Sequence, residues 1–354
     1  MPLPLTDTEI AARRGSAMPR RSYRSWPIPQ PRILVATCMK DEGPFILEWL
    51  AWHRAVGVTD FVVFTNHCTD GTDRILDRLQ DMGQLTHLPN PALATGSTFY
   101  QPAALAYLHH MRAFREADFV LSMDVDEFIN IRVGDGTFPD LFAATGPFDA
   151  LSITEINHGS NRQMTYQRGW ITDQFPLHET ETPGKFKARH GVKTITRLTP
   201  MVAQIRNHRP DFLTDGPAPR WLDGSGRPLA TLAADSSENG LDCRGTYGLV
   251  CLDHFPLRSL DSYLMKMLRG DVVVATKKVS RTYWRVRNRN AVATSNLTRS
   301  SPMARIYHRA HFEYDAPLMA LHHAACAAHE KRIVSLSDIP EMAERKDWIL
   351  KECW

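Results

Sequence analysis

Three carboxylates, Asp124, Asp126 and Glu127, stand within four positions of one another, shortly after the apolar run Phe119-Val120-Leu121. Such a run is typical of a buried parallel strand, and open α/β sheets bind ligands at the carboxyl ends of these strands. On an extended backbone, alternation predicts Asp124 and Asp126 on the same side. Two carboxylates at so short a distance repel each other unless a cation lies between them. Their oxygens suit Mg²⁺ or Mn²⁺, usually shared with substrate phosphates. The motif predicts a cation site, although a solvated acidic turn would have the same sequence.

The elements that would position this motif alternate between strands and helices. Strands are predicted at 33–38, 61–64, 84–88 and 119–128, and helices follow the first three near 46–53, 75–79 and 101–115. Further strands are predicted at 148–154, 193–198, 201–206 and 247–253, and helices at 259–268 and over most of the last part of the chain. Regular alternation of this kind indicates βαβ units, so we predict an α/β fold with a mostly parallel sheet flanked by helices.

The composition suggests three regions. Residues 1–30 are rich in Pro, Arg and Ser, and we expect a mostly irregular basic arm that docks through Trp26 or is partly disordered. The α/β domain is predicted over 31–275, with a loop-rich insertion or lid at 211–245, and a helical region over 276–354.

Bulk composition restricts the class of protein. The chain is 43% hydrophobic and 23% charged with a net charge of +3, which is ordinary for a globular protein and gives no case for nucleic acid. Its six cysteines are scattered without a CxxC pair, which favours a reducing compartment. No apolar run follows the N-terminal arginines, and no stretch approaches the length of a membrane span, so neither a secretory signal nor a transmembrane helix is expected. We predict a cytoplasmic protein, with contact to the inner face of a membrane through its basic ends left open.

Three motifs carry a resemblance to a known family. They are Lys40-Asp41-Glu42-Gly43 followed by Glu48-Trp49, His53 and Gly57; Asn66-His67-Cys68-Thr69-Asp70-Gly71-Thr72; and Asp124-Val125-Asp126-Glu127-Phe128. Over roughly residues 32 to 270, the chain resembles GT-A fold glycosyltransferases of the family 2-like group related to family 92, which carry NEG…EW…H…G, N-x-S-x-D-G-T and D-x-D-E-F motifs. Asp41 stands where that group usually has Asn, and Cys68 where it has Ser.

The resemblance implies a metal-dependent enzyme that transfers a sugar from a nucleoside diphosphate sugar, with a UDP-sugar favoured, to a glycan or another hydroxyl acceptor. It implies Mn²⁺ or Mg²⁺ bound by Asp124, Asp126 and His254, catalytic roles for Asp124, Asp126 and Glu127, and nucleotide binding by Glu42, Asn66, Asp70, Arg258 and Lys266. Arg258 and Lys266 could bind the negatively charged diphosphate.

Several of these residues have a structural alternative. Asn66 and Asp70 could be turn and N-cap residues. His254 could be a hydrogen-bonded structural histidine, and Arg258 and Lys266 could form a solvated helix face. On the first helix, Glu48, Trp49 and His53 are expected mainly to pack and to anchor that helix.

The proton acceptor of the reaction is left open by the sequence. An inverting transferase needs a carboxylate or histidine to take the proton of the acceptor hydroxyl. The candidates are Glu127, Glu155, His158 and Asp211, and the sequence does not choose between them.

Two other functions compete with glycosyl transfer. A sugar-phosphate nucleotidyltransferase also uses paired carboxylates on an α/β sheet, but its first strand usually leads into a Gly-rich loop, and Met39 to Gly43 contains one glycine. A non-catalytic nucleotide- or glycan-binding scaffold could retain the fold without turnover. Nucleic-acid binding through 281–289 is not expected, and the oligomeric state is not predicted.

Overall fold

The structure is a computed structural model that describes residues 24–181, 191–229, 246–270, 282–293, 300–352 and 354. Its first part comprises β1 (Ile33–Met39), a 3₁₀ turn (Gly43–Phe45), α1 (Ile46–Ala55), β2 (Asp60–Thr65), α2 (Thr72–Asp81), β3 (Thr86–Pro89), α3 (Ala92–Thr95), α4 (Tyr100–Leu108), α5 (Arg112–Glu116), β4 (Phe119–Ser122) and β5 (Glu127–Ile131).

The middle part comprises α6 (Phe138–Thr145), β6 (Ala150–Asn157), α7 (Ile171–Gln174), β7 (Leu177–His178), β8 (Val192–Arg197), β9 (Val202–Ile205), β10 (Pro210–Phe212), β11 (Trp221–Leu222), β12 (Val250–His254) and α8 (Leu260–Arg269). The last part comprises α9 (Thr282–Arg287), β13 (Val292–Ala293), α10 (Ser300–His308), a π turn (Arg309–Glu313), α11 (Ala316–Ser335), a 3₁₀ turn (Leu336–Asp338) and α12 (Pro340–Glu352).

The central sheet has the strand order β3-β2-β1-β4-β8-β6-β12-β5, with β11 beside the start of β6. Strands β1 to β4 are parallel, whereas β8 is antiparallel to both neighbours and β5 is antiparallel to β12. The predicted α/β class, a mostly parallel sheet flanked by helices with a C-terminal helical extension, is confirmed. Because β2 and β4 lie on opposite sides of β1, the loops after β1 and β4 frame a topological switch point, where sheets of this kind bind ligands.

Helices cover both faces of the sheet. Every residue of β1 is buried, with Val35 in one apolar cluster and Leu34 in another. This explains why β1 reads as a continuous apolar run rather than an alternating one. On one face, α10 packs against α1, and α11 packs against α2 and the first 3₁₀ turn. The C-terminal helices therefore fold back onto the first two βα units. Among the described helices, none has the length and apolar character needed to cross a membrane.

Two predicted elements end differently in the structure. The strand predicted over 119–128 is wrong in its second half: β4 ends at Ser122, where its pairing with β1 also ends, and a turn leads into β5. The reason is that β5 must leave this turn to pair antiparallel with β12. The helix predicted over 101–115 is two helices, because Met111 adopts an extended backbone between α4 and α5.

The predicted insertion and arm are described in part. Trp221 and Leu222, inside the predicted insertion, pair with β6 and extend the main sheet, while 230–245 lie outside the described residues. The strands predicted at 193–198 and 201–206 are β8 and β9, but β8 joins the main sheet and β9 pairs with β10. Residues 1–23 of the arm lie outside the described part. Trp26 docks as predicted, onto Phe119, Phe142 and Phe148.

Candidate functional site

The acidic motif lies in the turn between β4 and β5, at the carboxyl edge of the sheet. The backbone N–H of Glu127 donates to the carbonyl of Asp124 at 3.2 Å. The indole N–H of Trp49 on α1 donates to the carbonyls of Asp124 and Glu127, each at 3.1 Å. Helix α1 therefore holds the turn, which is the anchoring role that the sequence favoured for Trp49.

The two aspartates of the turn contact different lysines. Asp124 Oδ2 lies 3.0 Å from Lys193 Nζ on β8, whereas Asp126 Oδ2 accepts a hydrogen bond from Lys266 Nζ on α8 at 2.7 Å. The prediction that both carboxylates share one cation assumed an extended backbone, and the turn removes that assumption. Each negative charge has its own cationic partner.

Lys193 is the buried counterion of Asp124. Its side chain is 1% exposed, and its Nζ also lies 3.5 Å from Glu127 Oε2. Burial alone would lower the pKa of Lys193, but Asp124 and Glu127 raise it above its ordinary value. Burial raises the pKa of Glu127, and its Oε2 accepts from the backbone N–H of Asp124 at 2.8 Å. Glu127 thus points into the turn, where it stabilises the loop.

Asp126 faces His254 as well as Lys266. Asp126 Oδ1 lies 3.8 Å from His254 Nε2, and His254 Nδ1 lies 3.0 Å from Glu155 Oε2. Although burial raises the pKa of Glu155, Arg287 and His254 hold it well below its ordinary value. In the tautomer with its proton on Nδ1, His254 donates to Glu155 and turns its Nε2 lone pair towards Asp126.

Asp126 and His254 fit a divalent cation as two protein ligands. A carboxylate suits Mg²⁺ or Mn²⁺, a neutral imidazole is a common metal ligand, and substrate phosphates usually complete such sites. Burial raises the pKa of Asp126, but neighbouring positive charges, Lys266 first, hold it well below its ordinary value. Within the described ranges, no group of three or more His, Cys, Asp or Glu side chains is arranged to hold a metal. The metal roles of Asp124, Asp126 and His254 stay predictions, and the structure brings only the last two together.

Glu42, in the loop after β1, is held between two arginines. Its Oε2 accepts from Arg258 at 3.0 Å, and its Oε1 accepts from Arg269. Burial alone would raise the pKa of Glu42, but Arg269 and Arg258 lower it below its ordinary value. The guanidinium of Arg258 also stacks on Phe45, 3.6 Å from the ring centroid. This arrangement fixes Arg258 on both sides.

A pocket of about 450 Å³ opens beside these arginines, between the loops after β1 and β2, helix α8 and helix α11. Its volume lies within the range of small-molecule sites, about 300–1,000 Å³. The lining includes five Lys or Arg residues and two acidic residues: Lys40, Arg258, Lys266, Arg269 and Arg332 against Asp41 and Glu42. This excess of positive charge favours an anionic ligand.

Several nitrogen atoms at the pocket are buried without a hydrogen-bond partner among the described residues. They are Nε and Nη2 of Arg258, Nε of Arg269, and Nε2 of His329. Arg258 is 8% exposed and His329 is 6% exposed. Because an unsatisfied buried polar group costs about 1–3 kcal/mol, the site favours a ligand with several acceptor oxygens.

Three of the six described non-glycine residues with a positive φ angle line the same pocket. Arg258, Asp41 and His67 have positive φ angles of 57°, 51° and 49°. Such a conformation costs a non-glycine residue roughly 1–2 kcal/mol and tends to occur at functional sites.

The pocket brings together three of the five predicted nucleotide-binding residues, namely Glu42, Arg258 and Lys266. Asp70 does not line it. Its carboxylate accepts from the backbone N–H groups of Gly43 at 3.0 Å and Thr72 at 2.8 Å, so it joins the loops after β1 and β2. Asn66 is 2% exposed and is also absent from the lining.

The other three candidate bases are engaged in internal contacts. Glu155 supports His254, as described above. His158 is fully buried, and its Nε2 lies 3.0 Å from Asp253 Oδ1, so its contacts are structural. Asp211 pairs with Arg206 on the β9–β10 hairpin. The structure therefore adds no support for any of them as the base.

Sequence reasoning missed several pocket residues. Arg269 lies three positions after Lys266 on α8, a helical spacing that could have indicated it. His329, Arg332 and Ser335 repeat that spacing on α11, but nothing local in the sequence shows that α11 reaches the pocket.

The fold and the pocket define an α/β protein with a positively charged pocket beside the loop after β1. The model of glycosyltransferase family 92 matches residues 35–210, so the chain is related to that family over this region, as predicted. A glycosyltransferase family 92 protein of Oryza sativa subsp. japonica is 23% identical over 122 residues, which are 34% of this chain and 20% of that protein. The chain thus spans about a fifth of the length of this curated relative.

Solved structures give weaker likenesses. Residues 1–349 of S. aureus TarS in complex with UDP are 21% identical, with 38% of each chain covered and a TM-score of 0.28. The mannosyltransferase PcManGT of Pyrobaculum calidifontis, in complex with GDP-Man and Mn²⁺, is 13% identical, with 96% of this chain and 91% of that chain covered and a TM-score of 0.30. Likenesses of this size support no conclusion about ligands or activity.

Proposed function

We propose that the protein is a metal-dependent glycosyltransferase that moves a sugar from a nucleoside diphosphate sugar, with a UDP-sugar favoured, to a hydroxyl group of a glycan or another acceptor. One observation carries the proposal: buried arginine donors without partners among the described residues line a pocket beside Asp126 and His254. The relationship to glycosyltransferase family 92 over 35–210 agrees with it.

The residues of the pocket match the charge that this reaction develops. Transfer of the sugar leaves a diphosphate, and groups that hold its negative charge in the transition state lower the barrier. Arg258, Arg269 and Lys266 are the donors for that diphosphate, since all three line the pocket. Mn²⁺ or Mg²⁺, held by Asp126 and His254, would neutralise part of the same charge.

The structure supports transfer over one of the two alternatives. A nucleotidyltransferase usually has a glycine-rich loop after β1, whereas here this loop places the Glu42 carboxylate at the pocket. A non-catalytic scaffold would bind the same nucleotide, and therefore only turnover distinguishes it from a transferase.

The test is nucleotide binding by calorimetry with UDP, GDP, CMP and TDP, each with and without Mn²⁺. We expect one nucleotide to bind in a metal-dependent manner and, at 100 times its dissociation constant, to stabilise the protein by about 2.7 kcal/mol. Asp126→Asn should weaken this binding at least about ten-fold. The control Asp173→Asn changes an exposed carboxylate that pairs with Arg305, and it should bind like the wild type.

Turnover is measured as release of the nucleoside diphosphate from the matching sugar nucleotide. Binding with no release in the presence of candidate acceptors or water would favour the scaffold. Absence of binding by every nucleotide, with and without metal, would contradict the proposed function.

A further inference from the structure

One face of α11 forms a wall of the pocket. His329, Arg332 and Ser335 all line it, and their spacing of three residues places them on the same side of the helix. All three lie outside residues 35–210, the region related to glycosyltransferase family 92. A segment without a family match therefore contributes directly to the pocket.

Helix α11 is held close to the loop after β1. Asp315 caps its N-terminus, and the same carboxylate lies 3.0 Å from Arg78 Nε on α2. Further along the helix, Ala325 approaches Gly43 so closely that a Cβ added at Gly43 would lie 2.6 Å from the Cβ of Ala325. The glycine at position 43 therefore allows α11 to pack beside Glu42. The position of the helix thus depends on the Lys40-Asp41-Glu42-Gly43 motif.

Arg332 joins three elements at the pocket. Its Nη1 lies 3.2 Å from Asp41 Oδ2, and its Nη2 donates to the hydroxyl of Thr69. Asp41 Oδ1 in turn accepts from the backbone N–H of Thr69 at 2.7 Å. The loops after β1 and β2 are thus tied to α11 through one guanidinium. That group has five N–H donors, more than these two contacts use, and its side chain is 26% exposed.

His329 presents a buried ring nitrogen to the same pocket. The residue is 6% exposed, and its ring packs against Tyr166 and Phe45, with centroids 4.6 and 5.8 Å apart. Its Nε2 has no hydrogen-bond partner in the part of the chain that the structure describes. A buried polar atom in this state is unfavourable unless water or a ligand completes its hydrogen bond.

We propose that His329 and Arg332 bind the nucleoside diphosphate of the donor, so that the C-terminal helical region is part of the donor site. The inference deepens the proposed function and rests on it, because it adds residues to the same pocket. Arg332 donates to acceptor oxygens of the nucleotide, and His329 Nε2 makes its missing hydrogen bond to the ligand.

The experiment compares three variants with the wild type by calorimetry, using UDP and GDP with Mn²⁺ as probes. Arg332→Ala removes the guanidinium, and His329→Phe removes the ring nitrogens while keeping an aromatic ring in the same packing. The control Lys331→Ala removes a positive charge from the exposed neighbouring position on α11. We expect each of the first two variants to lose about ten-fold or more in affinity and the control to stay within about two-fold.

Thermal unfolding without nucleotide separates binding from folding. His329→Phe is expected to unfold at or above the wild-type temperature, since it replaces an unsatisfied polar ring with an apolar one, so its loss of affinity is not a folding defect. If the wild type binds and both variants stay within about two-fold of it, the role of α11 is overturned while the proposed function stands. If the wild type binds neither probe, both fail together.

Discussion

Lys193 and Lys266 each contact one aspartate of the same turn, but their surroundings differ. The side chain of Lys193 is 1% exposed and that of Lys266 is 27% exposed. Removal of Lys193 would leave Glu127, whose side chain is 6% exposed, and the adjacent Asp124 without their shared cation, whereas removal of Lys266 would leave Asp126 with the positive charge of Arg258 nearby. The two ion pairs should therefore have different roles. We expect the pair of Lys193 to stabilise the turn and Lys266 to contact the ligand.

We expect Lys193→Met to lower the free energy of unfolding by about 3 kcal/mol, because it leaves the buried Glu127 and the adjacent Asp124 without their shared counterion. Lys266→Met should cost less, about 1 kcal/mol, since the positive charge of Arg258 remains near Asp126, but it should weaken nucleoside diphosphate binding about ten-fold or more. Urea unfolding and calorimetry on both variants measure the two effects. Equal losses of stability in the two variants would contradict this division.

The acidic residues could be predicted from the sequence, but their partners could not. Asp124 and Asp126 follow an apolar strand, and a strand end is a local signal. Lys193 comes from a strand 69 residues further along, and Arg332 lies 263 residues after Thr69. Contacts over such separations depend on how the elements pack, and one sequence does not contain that information in any local pattern.

At the scale of elements, α1 joins the acidic turn to α7. Glu48 accepts from the backbone N–H groups of Ile171 at 2.6 Å and Thr172 at 3.0 Å, and Trp49 holds the turn. His53 lies 2.8 Å from the carbonyl of Trp49 through Nδ1. The sequence correctly predicted these residues as anchors because their helical spacing is local.

His53 should make the protein sensitive to acid. Its Nε2 accepts from the backbone N–H of Ile129 on β5 at 3.3 Å, and burial lowers its pKa to about 3. An unfolded histidine has a pKa of about 6.5, so the unfolded state binds the extra proton. The stability that His53 contributes is present above pH 6.5 and is lost as the pH falls through 6.5 towards 3.

We expect the difference in unfolding free energy between the wild type and His53→Gln to shrink by about 2 kcal/mol between pH 7 and pH 5. Urea unfolding at a series of pH values measures it. His311→Gln, at an exposed position, is the control and should track the wild type at every pH. If the difference in unfolding free energy between the wild type and His53→Gln does not change with pH, His53 is not held neutral by burial.

At the scale of the whole molecule, the family-related region does not complete its own core. The cluster that contains Val35 of β1 also contains Ala304, Phe312, Leu318 and Ala325 from the C-terminal helices. Strand β12, which sits between β6 and β5 in the sheet, likewise follows residue 210. The sequence predicted a helical C-terminal region, but amphipathic patterns alone could not show that it packs on the first two βα units.

A fragment that ends at residue 293 should therefore fail to fold cooperatively. It lacks α10, α11 and α12 and exposes the apolar surface of α1 and α2 that the first two cover. Burial of one Phe or Leu side chain contributes about 1.5–3 kcal/mol, so losing several approaches the whole stability margin of about 5–15 kcal/mol.

Thermal unfolding followed by circular dichroism should show a broad transition, and the fragment should bind ANS and no nucleotide. Supplying residues 294–354 as a separate peptide should restore a sharper transition. A fragment that unfolds cooperatively at the full-length temperature would show that the C-terminal helices are an independent addition rather than part of the core.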